Sequence, residues 1–209
     1  MSADLAARLG EALAARPRRA VKIEGAREAA VLIPIVALDE PTLLFTLRTE
    51  TVRSHKGQVS FPGGSIDPAD PSPQAAALRE AQEEVGLEPS VVRVLGELEA
   101  MPTFVTGFVV HPVVGWVEER PSLRPNPDEV AEILYVPISS LTEDLRVPPG
   151  APLGGRTYPT EAWDWNGYVI WGFTARLLRL FFRVLSEAGL AEPLAAQPDW
   201  PGIPEEFRI

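Results

Sequence analysis

The apolar positions of this chain fall into short runs separated by polar turns, and their spacing predicts helices and strands in alternation. Ala and Leu recur on one side of residues 3 to 15, among Asp4, Arg8 and Glu11, the pattern of an amphipathic helix. Ala29 to Leu38 is rich in Val and Ile and reads as a buried strand. Asp39-Glu40-Pro41-Thr42 then turns the chain into Leu43 to Arg48, its expected hairpin partner. Gln58 to Phe61 is a short strand and Val91 to Glu99 another. Gly107 to Val117 is a longer apolar strand interrupted by Pro112, which predicts a bulge or an edge there. Glu132 to Val136, ended by Pro137, and Tyr168 to Trp171 complete the expected strands. Residues 73 to 86 and Phe173 to Ala188 are the other predicted helices, the second with Leu177, Leu180, Phe181 and Val184 toward a core. Strands interleaved with helices in this way predict an α/β fold with a mixed sheet between helical layers. The expected organisation is an N-terminal helical extension over 1–28, one domain over 29–188 and an irregular tail over 189–209.

The helix over 73 to 86 carries the chemistry. Arg79-Glu80-Ala81-Gln82-Glu83-Glu84-Val85-Gly86-Leu87 sets three carboxylates at i, i+3 and i+4, so Glu80, Glu83 and Glu84 project from one face while Leu78, Ala81 and Val85 share another. Acidic triplets are often solvated helix faces. Closely packed hard oxygen ligands also suit Mg²⁺ or Mn²⁺. The preceding Gly57-Gln58-Val59-Ser60-Phe61-Pro62-Gly63-Gly64 reads as a strand entering a tight turn, where a glycine carbonyl can face inward as a further ligand. Ser72 is the expected N-cap, with Pro73 at the first helical position.

This strand, glycine turn, loop and carboxylate helix resembles the signature of the Nudix hydrolases. Gly64, Arg79, Glu80, Glu83, Glu84, Gly86 and Leu87 match it. The gap from Gly64 to Arg79 is one residue longer than usual, and Asp70 stands where an isolated Glu is expected. Upstream, Leu43 to Arg48 and His55 to Gly64 are similar to the coenzyme A pyrophosphatases of that superfamily. The resemblance, over roughly residues 30 to 185, implies a Nudix-type α/β/α sandwich with a mixed central sheet. It implies metal-dependent hydrolysis of the diphosphate of coenzyme A or its derivatives, giving 3′,5′-ADP and 4′-phosphopantetheine or its acyl form. Another diphosphate substrate such as ADP-ribose stays open, as does a non-catalytic nucleotide-binding regulator.

The resemblance also distributes roles. Glu83 and Glu84 are implied as main metal ligands, Glu80 as ligand or base, and the Gly64 carbonyl as a further ligand. Arg79 is implied to orient the carboxylates by pairing with a loop acid such as Asp70. The acid that this superfamily brings from a distant loop is expected in Asn126-Pro127-Asp128-Glu129-Val130, with Glu129, as ligand or base, preferred to Asp128; an exposed turn before a strand is the alternative.

Composition changes the picture in three places. Across 209 residues the formal net charge is -10, which argues against broad nucleic-acid binding. An acidic protein still binds a phosphorylated substrate if a local basic patch receives it. Arg48, Arg53, His55 and Lys56, with Gln58, form the candidate patch, and a solvated loop between strands is the alternative reading. The chain has no cysteine, which excludes disulfides, thiolate metal sites and a Cys nucleophile. No apolar run approaches the ~20 residues of a membrane span, and the N-terminal stretch lacks a signal peptide's unbroken apolar centre, so a cytoplasmic protein without membrane partners is expected. His111, before Pro112 in an apolar strand, reads as structural. Phe104, Phe108, Tyr158, Trp163, Trp165 and Trp171 could stack on adenine, although most aromatics are core. The resemblance also allows a homodimer.

Overall fold

The computed structural model describes residues 2–16, 21, 23–49, 57–103, 107–142, 145–147, 150, 152–153, 155–158 and 160–192. Through these the chain forms helix α1 (Ser2–Ala14), strands β1 (Arg27–Ala37), β2 (Pro41–Arg48), β3 (Val59–Ser60) and β4 (Gly63–Ser65), and helix α2 (Pro73–Val85). Strands β5 (Val92–Glu97), β6 (Met101–Pro102), β7 (Phe108–Val117) and β8 (Val130–Pro137) follow. The short β9 (Arg146–Val147), β10 (Pro152–Leu153) and β11 (Arg156–Thr157) lead to β12 (Ala162–Trp165), β13 (Tyr168–Trp171) and helix α3 (Gly172–Glu187).

Strand β1 organises the sheet. It runs parallel to β7, with Arg27 to Val36 opposite Phe108 to Val117. Its other edge is divided: β4 pairs antiparallel with Ala29 to Val31, and β2 with Ile35 to Ala37. β2 also pairs with β3 and β8, and β7 with β5 and β6, all antiparallel. The expected mixed sheet is present.

The pleat explains the layers. In β1, Ala30, Leu32 and Val36 join Ala76, Ala77, Ala81 and Val85 of α2 in one apolar cluster. Ile33 and Ile35 face the opposite way, into a cluster with Leu9 and Leu13 of α1 and Leu177, Phe181 and Val184 of α3. A strand covered on both faces needs apolar residues at successive positions, which is why β1 reads as an unbroken apolar run. The result is α2 on one face and α1 with α3 on the other, the α/β/α sandwich expected from the sequence. None of the described helices is long and apolar enough to cross a membrane.

Three details add to or differ from the sequence expectation. Pro112 is neither at an edge nor in a bulge of its own strand, because β7 is flanked by β1 and by β5 with β6. The irregularity lies in the partner. β5 ends at Glu97 and β6 starts at Met101, and between them Leu98 N–H donates to the Pro112 carbonyl at 2.9 Å. Helix α1 packs into the core: Leu9 is fully buried, Arg8 donates to the Ala188 carbonyl at 2.9 Å, and Arg16 pairs with Glu187. Finally, β13 pairs with β12 and β12 with β9 in a separate three-stranded sheet that the sequence pattern had shown only as one strand. Fully buried Glu161, at the entry to β12, ties this sheet to α3 through Arg179, whose Nε donates to Oε1 at 2.6 Å. Arg146 of β9 approaches the other carboxylate oxygen at 3.7 Å.

Candidate active site

Helix α2 starts and stops as its sequence dictates. Ser72 accepts from Ala75 N–H at 3.2 Å, Pro73 takes the first turn, and Gly86 closes the helix at φ 69°. That left-handed position is also crowded, because a β-carbon on Gly86 would lie 3.1 Å from Arg124 N. Gly86 therefore lets the loop before β8 lie against the helix end. Arg124 N–H donates to the Val85 carbonyl at 2.9 Å and Asn126 N–H to the Glu84 carbonyl at 2.8 Å, so this loop satisfies carbonyls that the helix end leaves open.

The three carboxylates of α2 share a side of the helix but not an environment. The Glu84 side chain is 3% exposed, that of Glu80 17% and that of Glu83 58%. At 3.6 residues per turn, Glu83 and Glu84 are separated by about 100° around the axis, so the shared face is a broad wedge. Its inner flank lies under β4 and its outer flank in solvent. Glu84 Oε2 accepts from Gly63 N–H at 3.2 Å, and Oε1 stands 3.3 Å from Arg48 Nη1. The Glu80 carboxylate packs against Gly64, where a β-carbon would fall 2.5 Å from Oε2. Glu83 turns outward to Arg79 Nη1 at 3.0 Å.

Arg79 is the hub of the outer half. It forks onto Asp70, Nε to Oδ1 at 3.1 Å and Nη2 to Oδ2 at 2.9 Å, and also donates to the Ser65 carbonyl, Glu80 and Glu83. That pairing holds the Asp70 carboxyl below its usual range and pushes the Arg79 guanidinium further up.

Glu129 comes to the inner half through Asn126. The Asn126 carbonyl accepts from Glu129 N–H at 3.1 Å and from Val130 N–H at 2.8 Å, and its side-chain oxygen accepts from Asp128 N–H at 3.1 Å. The Glu129 carbonyl in turn accepts from Thr49 N–H at 2.9 Å, locking this loop to the end of β2. Glu129 is half-buried and Asp128 exposed. Its negative charge is felt by both Glu80 and Glu84. Burial pushes the Glu84 carboxyl up to about 7, against the pull of Arg48 and the Gly63 N–H, with Glu129 and Glu80 adding to the rise. Burial likewise raises Glu80, opposed by Arg79.

Among the described residues no three acidic or histidine side chains already converge on one point as a finished metal centre. The donor set nevertheless fits a hard divalent cation. Two half- to fully buried carboxylates flank the Gly63–Gly64 backbone, both are destabilised as anions, and a third carboxylate adds to that charge.

Of the predicted basic patch, Arg48 reaches this site through Glu84, and Gln58 lies beside it just before β3, its carbonyl accepting from Arg48 N–H at 3.0 Å. Arg53, His55 and Lys56 lie outside the described residues, as do Phe104 and the tail from residue 193. His111 pairs with Glu28 at the surface, Trp163 is fully buried, and Phe108 lies under Arg27 at 4.1 Å. Asn126 was not singled out in the sequence, although an Asn-Pro-Asp run is a turn signal that could have marked it.

Gly63 and Gly64 thus lie in β4 with the capped acidic helix α2 against them. The NUDIX domain model matches residues 26–156. The chain is 42% identical over 168 residues to a protein of Enterobacter sp. (strain 638) named "Uncharacterized Nudix hydrolase NudL", covering 78% of this chain and 85% of that protein. A protein of the same name from Cronobacter sakazakii is 43% identical over 169 residues, with the same coverage. Among solved structures, the MutT protein from Methanosarcina mazei Go1 has a TM-score of 0.50 at 20% identity, covering 79% of this chain and 98% of that one, a likeness of fold alone. The chain belongs to the Nudix hydrolases. It is an enzyme of phosphoric anhydride hydrolysis, in a family that takes nucleotide-derivative substrates and generally works with divalent metal ions.

Proposed function

We propose that this Nudix hydrolase cleaves the diphosphate of coenzyme A or its derivatives, yielding 3′,5′-ADP and 4′-phosphopantetheine or its acyl form. The observation that carries the diphosphate chemistry is the pair Glu80 and Glu84, held on either side of Gly63–Gly64 with Glu129 beside them. The choice of coenzyme A rests on the similarity of Leu43 to Arg48 and His55 to Gly64 to that group of the family. A cytoplasmic setting and a homodimer are the accompanying expectations.

Glu80, Glu83, Glu84 and the Gly64 carbonyl are the proposed holders of Mg²⁺ or Mn²⁺. Such a cation, when bound, neutralises charge on phosphoryl oxygens and acidifies a coordinated water. Glu129 or Glu80 accepts the proton of the attacking water at a carboxylate oxygen. The water oxygen bonds to one phosphorus, and the bridging oxygen departs with the other phosphate. Arg79, fixed by Asp70, keeps Glu80 and Glu83 oriented without touching substrate. Arg48, Arg53, His55, Lys56 and Gln58 are the proposed receivers of the substrate's phosphates.

The test is product analysis after incubation with coenzyme A and Mg²⁺ or Mn²⁺, for the wild type and for Glu83→Gln. Appearance of 3′,5′-ADP and 4′-phosphopantetheine, lost in the variant, supports the reading. Turnover of ADP-ribose with none of coenzyme A would replace the substrate, and a wild type that binds nucleotide tightly without turning it over would point to a regulator.

A further inference from the structure

Arg48 and Arg79 both neutralise carboxylates of α2, yet they are held very differently. Arg79 makes forked bonds to Asp70 and three further contacts. Arg48 reaches Glu84 through one nitrogen at 3.3 Å, its Nε is buried without a hydrogen-bond partner, and its side chain is 21% exposed. A forked pair resists rearrangement far better than a single long contact. The backbone around Arg48 is fixed at the same time. Its N–H donates to the Gln58 carbonyl at 3.0 Å, and Thr49 donates to the Glu129 carbonyl at 2.9 Å and to the Asp128 carbonyl at 3.1 Å. Any change of partner is therefore a movement of the Arg48 side chain alone.

We propose that Arg48 is an exchangeable counter-ion: it balances buried Glu84 in the metal-free protein and is released toward the substrate's phosphates when Glu84 turns to a divalent cation. The inference rests on the reading of Glu84 as a metal ligand. Arginine and cation compete for one carboxylate, so the cation binds more weakly than the donor set alone would allow. By linkage, the cation that frees Arg48 raises the affinity for phosphate by the same factor that phosphate raises the affinity for the cation. Metal loading and substrate capture are thereby coupled through a single side chain.

The experiment is calorimetric titration of the metal-free full chain with Mg²⁺ alone, comparing wild type, Arg48→Gln and Arg48→Lys. A pH of about 8.5 keeps proton competition at the carboxylate small. Removing the unit charge that stands 3.3 Å from Glu84 Oε1 is expected to tighten Mg²⁺ binding about ten-fold in Arg48→Gln, while Arg48→Lys, which keeps the charge, stays near wild type. Should Arg48→Gln unfold too readily for calorimetry, the Mg²⁺-induced rise in Tm replaces it, and that rise is expected to be larger in Arg48→Gln than in wild type. Equal or weaker Mg²⁺ binding by Arg48→Gln, or equal tightening in both variants, overturns the exchange while leaving the metal site standing. A wild type that binds no Mg²⁺ overturns the site and the exchange together.

Discussion

Gly64 lies so close to Glu80 that a β-carbon on it would come within 2.5 Å of the carboxylate. The glycine is thus part of the site and not only a hinge for the turn. In Gly64→Ala the obstructing group is the mobile end of a side chain, so the protein is expected to fold with little change in Tm while Glu80 is displaced. A shift of that size should lower kcat about a hundred-fold. Gly63 is the contrasting case, because a β-carbon there would fall 2.4 Å from the Ala30 carbonyl oxygen and 2.6 Å from Val31 Cα, both backbone atoms. Gly63→Ala is expected to cost about 1–3 kcal/mol or more of stability, read by denaturant unfolding. If Gly64→Ala retains full turnover, Glu80 has no fixed role.

Glu84 should make the metal-free protein less stable as pH rises. Its ordinary value of 4.5 is raised to about 7 in the folded state, chiefly by burial. Between those values the folded protein keeps a proton that the unfolded chain has released, so stability falls through this window and levels off above about 7. In EDTA at pH 8, Glu84→Gln is therefore expected to exceed the wild type by up to roughly 3 kcal/mol, with the gap closing toward pH 4.5. Parallel unfolding curves for the two proteins across this range would contradict the buried anion.

Glu129→Gln tests the acid delivered by the loop. If Glu129 takes the proton from water, kcat is expected to fall about 10²–10⁴-fold, with Mg²⁺ binding little changed. Full turnover with metal binding unchanged would remove Glu129 from the reaction. Asn126→Ala, which loosens the same loop, is expected to lower kcat less than Glu129→Gln does.

Much of this arrangement is legible from residue types and spacing, because the cues are local. Ser72 and Pro73 start α2 and Gly86 ends it as the sequence expects, and Leu177, Leu180, Phe181 and Val184 are buried as their spacing requires. What spacing cannot reveal is which flank of a helix lies beneath another strand. Glu83 and Glu84 are sequence neighbours with the same chemistry, yet β4 covers only the second. Arg48 reads only as part of the candidate basic patch for the same reason, since its partner Glu84 lies 36 positions away. The buried Glu161 was missed because the acid and the arginine that compensates it come from different elements.

That buried pair gives a stability prediction separate from catalysis. Glu161→Gln leaves the Arg179 guanidinium in the interior without its carboxylate, and a loss of about 3–5 kcal/mol is expected, measured by chemical denaturation. A cost below about 1 kcal/mol would mean that solvent reaches the pair.

Helix α1 has a consequence for how the molecule is made. Its Leu9 and Leu13 are buried in one cluster with side chains of α3, and Arg8 and Arg16 reach the last turn of that helix and the residues just beyond. The cover of its apolar stripe is therefore complete only when α3, far along the chain, docks on it, a long-range closure that slows folding. Until that closure, the stripe is open apolar surface, the kind through which partly folded chains associate.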